Sequence, residues 1–107
     1  MQIAFSTEEI RDLCTLDTNA IQHLGQKAAD ALKNRLADIE AAEFIHELVA
    51  GKPRRTVIEG RDHYQVELDD DYVLTLMCNQ PNPRLDNEGR IEWNRVRRIK
   101  VVSIGKQ

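Results

Sequence analysis

The sequence predicts an α+β domain with two N-terminal helices packed on one face of a small, mainly antiparallel sheet. Three observations carry this. Apolar residues recur at steps of three and four from Ile21 to Ala42, the mark of an amphipathic helix. After Gly51-Lys52-Pro53 the period drops to two, the mark of strands. Helical and extended segments are segregated rather than alternating, which favours an α+β layering over a parallel βαβ sheet. The 107 residues fit one domain, 1–107, large enough to bury a core without metal or disulfide staples.

The elements follow in order. Ile3 and Phe5 alternate with Gln2 and Ala4, giving a short strand. Ser6-Thr7-Glu8-Glu9 reads as a capping box, with Ser6 as the cap and Glu9 reaching back, ahead of a short helix to Leu13 or Cys14. Asp17-Thr18-Asn19 is a turn that starts a second helix. This second helix spans 20–42 without a break, burying Ile21, Leu24, Leu32, Leu36 and Ile39, with Gly25 costing about 1 kcal/mol against Ala. Phe44, Ile45, Leu48 and Val49 form a further helical turn, stopped by Gly51 and Pro53. Thr56 to Ile58 is a strand, and Glu59-Gly60-Arg61-Asp62 ends it. Tyr64, Val66 and Leu68 face the core from the next strand, and Asp69-Asp70-Asp71 is a tight turn. Tyr72 to Cys78 is apolar on both faces and central. Asn79 to Arg90 is a long loop with Pro81, Pro83 and Gly89, and Ile99 to Ile104 is the last strand.

Net charge is −3, too acidic for a protein that binds nucleic acid through its bulk field. The distribution is uneven. Residues 1–51 carry four basic and nine acidic side chains, and residues 52–107 carry eleven and nine. The basic excess lies in Lys52, Arg54, Arg55 and Arg61, then in Arg90, Arg95, Arg97, Arg98 and Lys100. No apolar run approaches the roughly 18 residues of a membrane span. The N-terminus lacks the charged and apolar regions of a signal peptide, and Cys14 and Cys78 do not form a disulfide framework. A cytoplasmic location is expected.

Familiar reaction chemistry is thin. His23, His46 and His63 fall on a helix, a helix end and a loop, with no Cys, Asp or Glu at a ligand spacing, so neither metal nor other cofactor is expected. Asp69-Asp70-Asp71 lacks the spacing and glycine of a calcium loop. Cys14 and Cys78 sit among apolar residues and read as small core side chains. Trp93 reads as an anchor holding the long loop on the sheet, in preference to a stacking platform for a base.

Order and spacing resemble a known family. Lys33-Asn34-Arg35-Leu36-Ala37-Asp38-Ile39 resembles the K-x-R-L-x-x-L helix of the RelE/ParE toxin superfamily, in its HigB-like host-killing (plasmid maintenance killer) branch. Leu48-Val49-Ala50-Gly51-Lys52-Pro53, Gly60-Arg61 and the hairpin Tyr64 to Leu76 follow the same plan. So do Ile3-Ala4-Phe5-Ser6-Thr7 and the stretch from Ile91-Glu92-Trp93 to Ile99-Lys100-Val101. The resemblance covers nearly the whole chain. It implies a RelE-like fold and the toxin of a type II toxin–antitoxin system, partnered by a helix-turn-helix antitoxin from a neighbouring gene. It further implies a metal-free mRNA interferase that cuts mRNA on the ribosome by 2′-OH attack on the adjacent phosphate.

Several family positions differ here. The His-x-x-Lys-Gly stretch is Thr56-Val57-Ile58-Glu59-Gly60, so Thr56 replaces the histidine and Glu59 the lysine. The arginine of the following strand is Val73, and the Asp-Tyr-His ending is Ser103-Ile104-Gly105-Lys106-Gln107. Arg61 is the one functional position carried over and the best catalytic candidate. Lys52, Arg54, Arg55 and Arg61 are the expected RNA- or ribosome-binding residues. Two readings follow: a toxin-like endoribonuclease with lost or weakened activity, or a non-catalytic relative that binds a partner protein.

Overall fold

The computed structural model describes residues 1–107 and is an α+β fold. Strand β1 (Gln2–Phe5) leads to helices α1 (Glu8–Thr15), α2 (Asp17–Leu24) and α3 (Gln26–Ala41). A 3-10 turn at Ile45–Glu47 precedes β2 (Arg54–Ile58), β3 (Arg61–Glu67) and β4 (Tyr72–Cys78). A second 3-10 turn, Trp93–Arg95, leads into β5 (Arg98–Lys106). The sheet order is β1-β5-β4-β3-β2, antiparallel except for the β1–β5 pair. The apolar strand Tyr72–Cys78 is the middle strand, as its two-sided hydrophobicity predicts.

Side chains alternate across a strand, so register assigns the faces. Tyr64 pairs with Leu76, Val66 with Leu74, Leu76 with Val101, and Ile99 with Ile3. These residues join Leu32 and Ile39 of α3, Ala20 of α2 and Trp93 in one hydrophobic cluster, against which Ile10 and Cys14 of α1 also pack. All three helices therefore lie on this face. Trp93 is 5% exposed, and its ring lies 5.1 Å from that of Tyr64. It is the loop anchor expected of it.

The helical region differs from expectation in four places, the first being that Asp17-Thr18-Asn19, expected as a turn, forms the first turn of α2. The helix expected over 20–42 breaks at Gly25, whose φ of +86° is left-handed and open to glycine at little cost. Gly25 N–H closes α2 on Ile21 O, and its carbonyl opens α3 by accepting from Ala29 N. The break shifts the phase, leaving Ile21 exposed and Leu24 half-buried. The first cap is Thr7, whose Oγ1 accepts from Ile10 N at 3.1 Å, not Ser6. Ser6 N–H is held by Val101 O in the continuation of β1, which delays the helix by one residue. Val49 is 88% exposed, because the turn at Ile45–Glu47 is too short to return it to the core.

The turn between β2 and β3 is only Glu59-Gly60, both at positive φ (52° and 76°), the tight hairpin geometry that matches strand twist. Arg61, Asp62 and His63 thus belong to β3, not to a loop. At the other end, Asp69 Oδ1 accepts from Asp71 N and Tyr72 N, closing the acidic turn.

Candidate functional site

The face opposite the helices is the candidate site. It carries Arg61, His63, Gln65 and Glu67 of β3, with their β2 partners Ile58, Thr56 and Arg54. Thr75 and Met77 come from β4. Arg98, Lys100 and Ser103 come from β5, where Lys100 pairs with both Met77 and Ala4.

His63 is the residue with most chemical potential here, and it stands within β3 rather than in a loop. Its side chain stands two residues from Arg61 on the same face, directly opposite Thr56. The residue is 8% exposed. Nδ1 lies 2.8 Å from Arg61 O, and a carbonyl only accepts, so Nδ1 carries the proton. In the neutral ring that leaves the lone pair on Nε2. Nε2 makes no hydrogen bond to the protein and is not fully enclosed. Gln65 Nε2 donates to Thr75 Oγ1 at 3.2 Å and stiffens the centre of the face.

The four expected binding residues do not converge. Arg61 stands at the β2–β3 turn and makes no ion pair within 4.0 Å. Arg54 shares its face but sits four residues along β2 from the Ile58–Arg61 pair, about 13 Å away. Its guanidinium is engaged by Glu67 at 2.9 Å. Lys52 lies beyond it in the left-handed connection Gly51-Lys52. Arg55, adjacent to Arg54 in a strand, projects from the opposite face, where it pairs with Tyr64. The two positions at which the resemblance expects a lysine and an arginine are also far apart. Glu59 is in the turn beside Arg61, whereas Val73 pairs with Glu67, six residues or about 20 Å along β3. No single phosphate spans them.

Arg55 lines a cleft of about 240 Å³ under the long loop, with Val57, Asp62, Asp86, Arg90 and Trp93. This is below the ~300–1,000 Å³ of ordinary small-molecule sites. Much of its charge is internally committed. Asp62 accepts from Arg90 Nη1 at 3.3 Å and from Ile91 N at 3.0 Å. Asp86 accepts from the Glu88 and Arg90 backbone, and these hydrogen bonds hold its carboxyl below the ordinary range, with help from the Arg55 and Arg90 charges. The cleft braces the loop and is the weaker candidate.

Neither cysteine suits catalysis. Burial pushes the Cys14 thiol up to about 12, and burial likewise raises Cys78. No three His, Cys, Asp or Glu side chains converge as metal ligands, and no helix is long and apolar enough to cross a membrane. Compared with protein-family models, curated proteins and solved structures, the chain matches none.

Proposed function

We propose that the chain is a toxin-like component of a RelE/HigB-type toxin–antitoxin pair that acts on RNA at the open sheet face, with weak cleavage. The observation that carries this is the pairing of Arg61 and His63 on that face. An ion-pair-free guanidinium stands two residues along the strand from a largely buried imidazole whose Nε2 has no hydrogen-bond partner in the protein. Arg61 answers the charge on a phosphate, and Nε2 is the available base. In the proposed step Nε2 takes the 2′-OH proton, the 2′ oxygen bonds to phosphorus, and the P–O5′ bond breaks. Water must protonate the leaving oxygen, because no second acid stands with His63. General acid catalysis is worth about 10²–10⁴ in rate, so its absence predicts weak cleavage. The resemblance supplies the ribosome as the setting, the cytoplasm as the location and a helix-turn-helix antitoxin as the partner.

The test is expression without a partner, with growth and mRNA ends followed together. The expected result is mild inhibition, and cleavage leaving 2′,3′-cyclic phosphate ends that His63→Ala removes. Cleavage untouched by His63→Ala and Arg61→Ala would overturn the assignment. The partner-binding reading draws on a different observation: Val57 and Ile58 are exposed on β2, a sheet-edge strand. Normal growth, uncut RNA and a stable complex with a neighbouring gene product would favour it.

A further inference from the structure

We propose that single-stranded RNA crosses the open face from β3 to β5, with Arg98 and Lys100 as a second group of phosphate contacts facing Arg61. This rests on the reading above and gives its substrate a path. Arg98 and Lys100 flank Ile99, which is fully buried on the helix face, so both project to the open side. Their β1 partners, Gln2 and Ala4, are uncharged. Like Arg61, neither has a carboxylate within 4.0 Å.

The strands carrying these cations are two spacings apart, about 9.5 Å. Between them lies Met77, half-buried on β4, an apolar surface on which a base can rest. The face is polarised along its strands. Arg61 and Arg98 begin β3 and β5 at one end, while Glu67 and the Asp69-Asp70-Asp71 turn lie at the other, about 20 Å along β3. Glu67 is neutralised by Arg54, and Glu59 stands in the turn beside Arg61, so the attraction for a polyanion comes from the three cations without ion-pair partners, Arg61, Arg98 and Lys100. Five strands are only about 19 Å wide. That is short of the two-groove contact, ~16 bp, made by double-stranded RNA modules. A single strand touching three cations fits.

Counterion release makes the count measurable. Three phosphate contacts on a single strand give a slope of log K against log salt near −2, at about −0.7 each. The probe is a fluorescein-labelled ten-nucleotide oligoadenylate, followed by anisotropy between low and moderate salt. The expected slope is about −2 for the native chain, about −1.4 for Arg61→Ala and about −0.7 for the double change Arg98→Ala, Lys100→Ala. Lys27→Ala removes an exposed charge from the helix side and should leave the slope unchanged. Circular dichroism verifies that each variant is folded. RNA binding whose slope ignores the double change would overturn the path while sparing RNA recognition. No binding by the native chain at the lowest salt would overturn both.

Discussion

Thr56 and His63 are directly opposed across the β2–β3 ladder. The resemblance expects a histidine at the position of Thr56. This chain has one on the neighbouring strand instead, a single strand spacing away and on the same face. Residues directly opposite have Cβ atoms about 4.5–5.5 Å apart. The site proposed here therefore sets the His63 imidazole, one strand away from the position the resemblance expects, on the same face as Arg61.

That arrangement changes what a rescue experiment should show. Glu59→Lys together with Val73→Arg introduces the side-chain types that the resemblance expects, but Val73 is buried and about 20 Å along the sheet from Arg61. Toxicity should rise with Glu59→Lys alone, by removing a repulsive charge beside Arg61. Adding Val73→Arg should contribute nothing to cleavage and should lower stability, because it places a charge at a buried site. Growth curves and melting temperatures for the two single variants separate these effects.

Two glycines should respond differently to Ala. At Gly25 an added Cβ meets nothing within 4 Å, so only the glycine-favouring backbone, φ +86° with ψ 164°, is costly, about 1–3 kcal/mol. At Gly51 the same φ cost is joined by contacts of 2.5 Å to Val66 Cγ1 and 2.7 Å to Glu67 O. Gly51→Ala should therefore destabilise more than Gly25→Ala in urea unfolding. Equal midpoints would mean that the connection to β2 moves freely aside.

Cys14 should resist alkylation at neutral pH. With its thiol pushed up to about 12 by burial, almost none of the thiolate nucleophile exists at pH 7. Labelling by iodoacetamide should follow unfolding, and both should accelerate together in denaturant. Rapid modification of the folded chain at Cys14 would contradict its packing from α1 against the core.

Asp86 gives a pH signature. Its folded carboxyl lies below the ordinary 3.8, chiefly through hydrogen bonds from the Arg90 and Glu88 backbone. A depressed carboxylate stabilises the fold above its unfolded value and loses that contribution as pH falls through the folded one. The stability gap between the native chain and Asp86→Asn should thus be full above pH 3.8 and shrink below it. A gap independent of pH would remove charge from the account of this loop.

Much of the fold was legible because burial imposes periods. The helical steps of α3 and the two-sided apolar run of β4 could be read directly. The break at Gly25 was hidden because a glycine inside a helix costs so little that the apolar steps run through it. The site was harder. A charged Arg61-Asp62-His63 looks like a turn, yet the true turn is only Glu59-Gly60. Starting β3 at Tyr64 concealed that Arg61 and His63 share a face, and starting β5 at Ile99 did the same for Arg98 and Lys100. Grouping Arg54 with Arg55 failed for a simpler reason: neighbours in a strand point apart. That signal was available once β2 was extended to Arg54.

The most direct test asks which face meets RNA. The His63 ring lies on the open face, and the Trp93 indole lies on the helix face under the long loop. Their side-chain NMR signals report the two sides independently. Titration with single-stranded RNA should shift the His63 ring resonances and leave the Trp93 indole signal in place. Movement of the Trp93 signal with a silent His63 would put the ligand in the Arg55 cleft and contradict the account.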